Sequence, residues 1–369
     1  MLNANVNNDT AETDLQFMKR ALELAARGAG HVSPNPLAGA VIVKENHIVG
    51  EGWHTQIGSD HAEVAALKNA AGNAKGATIY VNLEPCNHTG RTPPCVNAII
   101  AAGIKRVVFA IDDPNPIARG GAGALRAAGI DVASGVLASD ATELNQSFLF
   151  DARGSTRPWI TLKLALSIDG AVVDKSRERG WLTGAEAQQA VHLLRANADA
   201  VAVGIGTVLA DNPMLTVRNV PSPRVPPVRV LFDRAARLPL DSQLVKSARE
   251  SPVLVVTAGR SSSRENALKA AGLDIIRAND IQDGMEALRD RGIRNLLVEG
   301  GAVMASALMV ASLVDRLIIF QAPVILGRDA VGAFSGAPPQ RAGSAPRFRV
   351  LGRQELGADL MTIYAVSTD

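Results

Sequence analysis

Cysteine is scarce in this chain: only two of its 369 residues are cysteines, Cys86 and Cys95. Two thiols exclude a disulfide framework, and thiols kept free for a metal ion indicate a reducing compartment. We therefore expect a cytoplasmic protein. An excess of one charge sign is also lacking, because the net charge is +2. Composition thus gives no broad basic field of the kind that binds nucleic acid.

Long hydrophobic runs are absent as well. The longest apolar stretch, residues 300–314, contains glycine and serine and is too short to span a bilayer. It predicts a buried helix and no membrane partner. Residues 1–13 are polar and rich in asparagine, without the apolar core of a signal peptide. We expect them to form a disordered tail.

The length of the chain leaves room for two domains, each with a full hydrophobic core. Both halves alternate helical and strand patterns, which is typical of layered α/β domains. A polar, turn-forming segment at residues 153–158 separates the halves. We therefore expect one domain over residues 14–152 and a second over residues 158–369.

The two cysteines bracket a loop, and His61-Ala62-Glu63 lies upstream of it. Two thiolates and one imidazole are ligands that zinc takes readily, and the carboxylate of Glu63 remains as a proton carrier. Inside a helix, residues two apart point about 200° away from each other. His61 and Glu63 therefore converge only at a helix start, which Ser59-Asp60 predicts as a cap.

These residues predict a hydrolytic deamination. Zinc lowers the pKa of a bound water, and the resulting hydroxide attacks an amidine-like ring carbon. Glu63 passes the proton to the departing amine, which a metal ligand would be unable to do. One alternative is a closed structural zinc with His88 as its fourth ligand. Two unrelated buried cysteines are another.

The combination of H-x-E with P-C is the zinc-deaminase signature. Base and nucleoside deaminases usually carry P-C-x-x-C, whereas eight residues separate the cysteines here. The longer loop L-E-P-C-N-H-T-G-R-T-P-P-C, with H-A-E and P-N-P-L-A-G-A-V-I-V upstream, resembles the bifunctional deaminase/reductase of riboflavin biosynthesis. The resemblance covers the chain from residue 14 onward.

This resemblance implies a cytidine-deaminase-like three-layer domain followed by a dihydrofolate-reductase-like α/β domain. The first domain would deaminate 2,5-diamino-6-(5-phosphoribosylamino)pyrimidin-4-one to 5-amino-6-(5-phosphoribosylamino)uracil and ammonia. The second would use NADPH to reduce the ribosyl group to a ribityl chain. The resemblance also implies zinc on His61, Cys86 and Cys95, Glu63 as the catalytic residue, a small-molecule substrate, and a homo-oligomer (dimer or tetramer).

Within the first domain, the resemblance implies four substrate contacts: Asn35, His54, His88 and Arg91. An extended loop with such side chains is suited to hydrogen-bond a polar pyrimidine and its phosphate. Asn35 stands between two prolines and is equally interpreted as a turn residue. His54 is equally interpreted as a surface histidine. His31, His47 and His192 have no motif around them, and we interpret them as structural.

Glycine turns are the main signal in the second half. Gly300-Gly301 ends a predicted strand and opens a helix, and Gly204-Ile205-Gly206-Thr207 follows another strand. Such turns let backbone N–H groups approach a phosphate, although tight packing explains them equally. The strings T-L-K-L-A-L-S-I-D-G, W-L-T, L-L-R, G-T-V-L-A-D-N-P-x-L-T-V-R and V-E-G-G resemble the reductase domain of the same family.

Two sets of contacts follow from this resemblance. The implied NADP contacts are Ala165, Trp181, Thr207, Asp211, Gly301, Ala302, Val303, Met304, Ala305, Ser306 and Ala307. The place of Arg234 after the predicted strand 228–232 adds it as a further cofactor contact. The implied substrate contacts are Arg179, Arg195, Leu215, Arg218 and Glu299. Separately, we interpret Lys163 and Glu299 as the ionisable candidates near the hydride acceptor.

The arginines in these sets match their implied ligands chemically. Arg195 and Arg218 suit a phosphate clamp, and Arg234, which follows a strand, suits a 2′-phosphate. The alternatives are a solvated helix face for Arg195, a loop charge for Arg218 and a strand-edge position for Lys163.

Two other classes of function compete with this interpretation. A nucleic-acid deaminase shares the zinc motif but predicts P-C-x-x-C and a basic, aromatic-bearing surface. This chain has 4% aromatic residues and almost no net charge. A non-enzymatic zinc module predicts that replacing Glu63 by glutamine changes no activity.

Overall fold

The computed structural model describes residues 2–90, 92–174, 182–258, 263–338, 341, 343 and 345–366. Arg91, Arg179 and Trp181 lie outside these residues. The chain divides into two compact units, Met1–Ser155 and Thr156–Asp369, and the division falls in the polar segment 153–158. Among the described residues, no helix combines the length and apolar character that crossing a bilayer requires.

The first unit is built around one mixed sheet. Its strands are β1 (Gly39–Lys44), β2 (His47–Trp53), β3 (Thr78–Leu83), β4 (Arg106–Ile111) and β5 (Asp131–Ser134). Its helices are α1 (Leu2–Ala26), α2 (Ala62–Asn69), α3 (Cys95–Ala101), α4 (Gly121–Ala127), α5 (Ala138–Leu144) and α6 (Gln146–Ala152).

The sheet of the first unit has helices on both faces. Its order is β2-β1-β3-β4-β5, with β1 antiparallel to β2 and β3, and with β3, β4 and β5 parallel. Ile79 packs with α2 and α3 on one face, and Tyr80 packs with α1 and α5 on the other. This alternation follows from the two-residue period of a strand, and it gives the three layers that were expected.

The amino-terminal helix differs from its prediction. The polar composition of residues 1–13 predicts a tail, whereas α1 is helical from Leu2. Its later turns bury Phe17, Met18 and Leu24 against the sheet. Once those turns are fixed, each added residue contributes a hydrogen bond at little nucleation cost. The helix therefore extends into a segment that has no apolar face of its own.

The second unit is an α/β structure with one nine-stranded sheet and one two-stranded sheet, the latter formed by the seventh and fourteenth strands of the chain. Its strands are β6 (Trp159–Leu166), β7 (Ala171–Val173), β8 (Ala200–Gly204), β9 (Val228–Phe232), β10 (Val253–Thr257), β11 (Asp274–Arg277), β12 (Asn295–Glu299), β13 (Arg316–Gln321), β14 (Val331–Gly332), β15 (Phe348–Leu356) and β16 (Asp359–Val366). Its helices are α7 (Ala185–Ala196), α8 (Ile205–Asp211), α9 (Gln243–Lys246), α10 (Ser263–Ala270), α11 (Ile281–Asp290) and α12 (Ala302–Val310).

The main sheet of this unit runs in the order β11-β10-β9-β8-β12-β6-β13-β16-β15. The strands from β11 to β13 are parallel, and β16 and β15 continue the sheet antiparallel. The chain steps from β6 past β12 to β8 in one direction and later to β13 in the other. Open parallel sheets bind ligands outside the carboxyl ends of their strands, at such a reversal. We therefore expect a ligand-binding site at the carboxyl ends of β6, β8 and β12.

Candidate active sites

Three soft ligands converge in the first unit. His61 is the N-cap of α2, Cys86 lies three residues after β3, and Cys95 begins α3. His61 Nδ1 is 3.5 Å from Cys86 Sγ and 3.3 Å from Cys95 Sγ, and the three ligand atoms lie within 4.8 Å of one another. A tetrahedral zinc with Zn–S of about 2.3 Å and Zn–N of about 2.0 Å separates S from N by about 3.5 Å. The donor set therefore fits zinc in both chemistry and spacing.

The orientation of the His61 ring is fixed by a residue that the sequence analysis did not name. Nδ1 faces the two sulfurs, while Nε2 lies 3.3 Å from Thr92 Oγ1. A partner on the second ring nitrogen sets the tautomer of a metal-ligating histidine. Only its position inside the cysteine loop connects Thr92 with this role in the sequence.

Glu63 lies in the first turn of α2 and does not belong to the ligand cluster. The predicted cap, Ser59 or Asp60, is wrong: the helix begins at Ala62 and His61 itself occupies the cap position, without a side-chain capping bond. His61 thus has extended backbone while Glu63 is already helical, so both side chains reach one site. Burial, and next the negative Cys86, raise the pKa of Glu63 to about 7.

A cavity of about 420 Å³ opens beside these residues, and Asn35, His54 and His88 line it. Asn35 Nδ2 is 3.0 Å from His54 Nε2, and His54 Nδ1 is 3.1 Å from the carbonyl oxygen of Asp60. A ring that donates from Nδ1 to a carbonyl accepts at Nε2, so His54 is neutral and Asn35 donates to it. Burial lowers the pKa of His54 in agreement with this state.

The structure decides two of the alternatives for this site. His54 is 3% exposed, so its interpretation as a surface histidine is wrong. His88 is absent from the ligand cluster found among the described residues, so three protein residues would hold the metal. His88 Nδ1 is instead buried without a hydrogen-bond partner in the described structure. Three ligands and an adjacent cavity are typical of a catalytic zinc rather than a structural one.

Glu84 organises the cavity wall and was also missed by the sequence analysis. Its carboxylate accepts backbone N–H groups of Asp113 at 3.3 Å, Gly120 at 3.2 Å and Ala122 at 2.9 Å. These bonds hold the loop after β4 and the start of α4 against Glu84, which directly follows β3. The only signal in the sequence is the position of Glu84 directly before the Pro-Cys pair.

Two glycine turns lie side by side in the second unit. Gly204 precedes α8 and Gly301 precedes α12, and their strands β8 and β12 are parallel neighbours. A Cβ atom on Gly301 would lie 3.5 Å from Thr207 Oγ1. The structure therefore brings Thr207 and Gly301, both implied cofactor contacts, to one edge of the sheet. Backbone N–H groups at such helix starts suit a phosphate.

The implied cofactor residues on α12 differ in how far their side chains are exposed to solvent. The side chains of Met304, Ala305 and Ser306 are buried, and Ser306 Oγ donates to the Ala302 carbonyl and accepts from Gly336 N–H. These three residues face the core, whereas Val303 is 82% exposed.

Three further implied cofactor residues lie on β6, α8 and the turn after β9. Ala165 lies on β6 opposite Phe320, Asp211 ends α8, and the exposed Arg234 follows β9.

Three of the candidate substrate residues, Lys163, Glu299 and Arg195, lie together at the carboxyl end of the main sheet. Lys163 on β6 lies in register with Glu299 on β12, and Glu299 forms a two-bond pair with Arg195 (2.5 and 3.0 Å). Burial opposes ionisation of Glu299, yet Arg195 lowers the pKa of this carboxyl. Burial lowers the pKa of Lys163. Arg195 also donates to the carbonyl of Thr216, next to the buried Leu215.

The structure contradicts two of the alternatives for this cluster. Lys163 is not at a strand edge, because β6 lies between β12 and β13. Arg195 is not on a solvated helix face, because its side chain is 11% exposed and paired. Arg218 is exposed, as a loop charge would be. His192, interpreted as structural, accepts the backbone N–H of Arg218 at Nδ1 over 3.2 Å.

Comparison with known proteins covers both units. Residues 11–111 match the family model of the cytidine and deoxycytidylate deaminase zinc-binding region, and residues 158–362 match that of the RibD C-terminal domain. The chain is 43% identical to the riboflavin biosynthesis protein RibD of Aquifex aeolicus, over 86% of this chain and 88% of that protein. It is 40% identical to RibD of Escherichia coli, over 94% and 98%.

Solved structures agree with these matches. RibD of Acinetobacter baumannii superimposes with a TM-score of 0.84 at 37% identity, covering 97% of this chain and 100% of that one. A diaminohydroxyphosphoribosylaminopyrimidine deaminase/5-amino-6-(5-phosphoribosylamino)uracil reductase from Thermotoga maritima does so with a TM-score of 0.85 at 33% identity and the same coverage. The predicted fold class and bifunctional activity are thereby confirmed. The chain belongs to the RibD family of riboflavin biosynthesis, bifunctional enzymes with a zinc-binding deaminase domain and an NADPH-dependent reductase domain.

Proposed function

We propose that the first unit converts 2,5-diamino-6-(5-phosphoribosylamino)pyrimidin-4-one to 5-amino-6-(5-phosphoribosylamino)uracil and ammonia, and that the second reduces the ribosyl group of that product to ribityl. The single observation that carries this proposal is the convergence of His61, Cys86 and Cys95 beside Glu63 and a cavity. The name of the Thermotoga relative, which states both reactions, supports the choice of substrates.

In the deaminase, His61, Cys86 and Cys95 would hold the metal. When bound, zinc lowers the pKa of a water and so supplies a nucleophile at neutral pH. Glu63 is free of the ligand set and buried at the same site, and we assign it the proton transfer to the departing amine. Neutral His54 and the amide of Asn35, hydrogen-bonded to each other, orient the pyrimidine.

Two residues of the cysteine loop complete the proposed deaminase contacts. We assign His88 and Arg91 to the ribosyl phosphate side of the substrate. The buried and unpartnered His88 Nδ1 supports this assignment, because such an atom normally has a hydrogen-bond partner.

In the reductase, NADPH supplies a hydride when bound. We assign its phosphates to the paired glycine turns through Thr207 and the run Gly301–Ala307, where backbone N–H groups bind and orient the cofactor. The other proposed cofactor contacts are Ala165, Trp181, Asp211 and Arg234. The proposed substrate contacts are Lys163, Arg179, Arg195, Leu215, Arg218 and Glu299.

In this proposal, Arg195 and Glu299 hold each other in position at the substrate site of the reductase. Their two-bond pair fixes both side chains at the carboxyl end of β12. A guanidinium held in this way offers its remaining N–H groups in a defined direction. Lys163, half-buried and in register with Glu299, places a second cation near the ribose.

Mass spectrometry of the diaminopyrimidinone incubated with the purified full chain tests both reactions. Without NADPH, we expect the exchange of an amine for a carbonyl oxygen. With NADPH, we expect the product to gain two hydrogens as well. Failure of the first change in zinc-loaded protein would contradict the deaminase assignment and make nucleic-acid substrates the next test. Failure of only the second would contradict the reductase assignment.

Three coarser expectations are part of the same proposal. We propose a cytoplasmic location, supported by two free thiols in the metal site, and cell fractionation tests it. We propose a homo-oligomer, dimer or tetramer, which light scattering after size-exclusion chromatography tests. We propose that residues 14–152 and 158–369 carry the two activities, which separate expression of each segment tests.

A further inference from the structure

The segment between α8 and β9, which carries two of the proposed substrate contacts, has an unusual backbone. Three of its non-glycine residues adopt left-handed φ values: Asn212 (43°), Leu215 (58°) and Asn219 (59°). The position of Leu215 is the least expected, because a leucine with positive φ is strained and this one is also buried. Strained backbone persists only where its surroundings fix it.

Two side chains on one face of α7 hold the carboxyl-terminal part of this segment. Arg195 donates to the carbonyl of Thr216 at 2.9 Å, and His192 Nδ1 accepts the N–H of Arg218 at 3.2 Å. Residues three apart share a helix face, so both bonds arise from the same side of α7. Alternate residues of the segment are therefore tied to the helix.

A buried arginine holds the amino-terminal part. Arg229 on β9 donates from Nη1 to the carbonyl of Met214 at 3.2 Å and to Ser247 Oγ at 2.7 Å. Its Nη2 donates to the carbonyls of Ser247 and Ser251. The segment is thus fixed at Met214 from the sheet side and at Thr216 and Arg218 from the helix side.

His192 differs from the two arginines that hold this segment, because its side chain carries no charge. Its ring is buried and accepts at Nδ1, so it is neutral and directs no charge toward a ligand. It contacts the segment through a backbone hydrogen bond with Thr216 and by accepting the backbone N–H of Arg218. The bond to Arg218 fixes the residue from which the exposed Arg218 guanidinium extends.

We propose that His192 is a positioning residue of the reductase, which orients Arg218 toward the phosphate of the pyrimidine substrate by accepting its backbone N–H. This inference rests on the proposed assignment of Arg218 to that substrate. Loss of the acceptor leaves the N–H of Arg218 without its partner and releases a strained segment. Affinity for the phosphorylated pyrimidine falls, while binding of NADPH and the hydride step are unchanged.

Steady-state kinetics of three variants in the full chain test the inference. His192→Phe fills the ring space without an acceptor, and His192→Asn offers an amide oxygen near the position of Nδ1. Gln189→Ala, an exposed position on the same helix, is the matched control. For His192→Phe we expect the KM for 5-amino-6-(5-phosphoribosylamino)uracil to rise about tenfold, the effect of one unmade, partly buried hydrogen bond. The KM for NADPH stays unchanged, and His192→Asn restores most of the loss.

Arg218→Ala separates failure of the inference from failure of the proposed function. If Arg218→Ala leaves the substrate KM unchanged, the assignment of Arg218 is wrong and the inference falls with it. If Arg218→Ala raises KM and His192→Phe does not, the inference alone is overturned. If His192→Phe raises the KM for both the pyrimidine and NADPH and lowers kcat to a similar extent, the inference is also overturned, because such changes indicate a general structural defect.

If His192→Phe does not fold, the pH dependence of the substrate KM tests the inference instead. The substrate KM of the unaltered protein is compared with that of His192→Asn across acidic pH. A rise in KM confined to the protein with histidine supports the inference, and identical profiles overturn it.

Discussion

Lys163 and Glu299 face each other in register on the adjacent parallel strands β6 and β12, and Glu299 also pairs with Arg195. The carboxylate of Glu299, 12% exposed, is thus paired with Arg195 and attracted by Lys163 at the carboxyl end of the sheet. The attraction of Glu299 opposes the effect of burial on the Lys163 pKa, and Arg195 adds to that effect. The ionisation states of Lys163 and Glu299 are therefore linked.

Replacing Glu299 by glutamine is expected to damage both stability and reduction. Lys163 and Arg195 would keep their burial but lose the negative charge, and removing one partner of a buried ion pair typically costs about 3 kcal/mol. We expect a lower urea midpoint for the reductase transition and loss of reductase activity, with deaminase activity retained.

Glu23→Gln is the matched control for this change, because it removes a partly exposed partner of Arg20. Its effect should stay below about 1 kcal/mol. Equal effects of the two substitutions would contradict the shared-carboxylate arrangement.

The pair Gly121 and Gly123 offers a sharp test of the deaminase cavity wall. A Cβ atom on Gly121 would lie 1.8 Å from the carbonyl oxygen of Pro85, directly before Cys86, whereas one on Gly123 meets nothing within 4 Å. Gly121→Ala should displace the Pro85-Cys86 strand end and reduce zinc content and deaminase activity. Gly123→Ala should retain both and, as alanine is the better helix former, add up to about 1 kcal/mol of stability. Full zinc occupancy in Gly121→Ala would contradict the account.

The pH dependence of reduction should report His192. Burial, and then the charges of Arg195 and Arg218, lower the pKa of His192 from its usual 6.5, while Glu299 acts in the opposite direction. A histidine with a lowered pKa is held neutral, so its bond to Arg218 is present at neutral pH. The bond is lost as pH falls below 6.5 and through the lowered pKa. We expect the substrate KM to rise over that acidic range, measured against His192→Asn to remove titration of the substrate phosphate.

For some elements, the local sequence pattern alone was sufficient to predict the structure. In the strand Trp159–Leu166, apolar residues alternate with the two-residue period of a strand, and every second residue is buried. The converging ligands His61, Cys86 and Cys95 were predictable because their residue types and loop are specific to one chemistry.

Other parts depend on tertiary contacts that no local pattern records. The strands β15 and β16 were not predicted, since Phe348–Leu356 carries charged side chains and mostly half-exposed or exposed positions. The contacts of His192 with Arg218 and of Thr92 with His61 join residues distant in sequence. Arg229, a fully buried charged residue on β9, similarly depends on carbonyls of two other segments.

The central claim is that one chain deaminates through a zinc site with Glu63 as its proton carrier and reduces at a separate site. Glu63→Gln tests it most directly, with zinc content and both activities measured on the same purified protein. The account predicts unchanged zinc, loss of deamination by a factor of about 100 or more, and full reduction of supplied 5-amino-6-(5-phosphoribosylamino)uracil. Undiminished deamination by the zinc-loaded variant would contradict it.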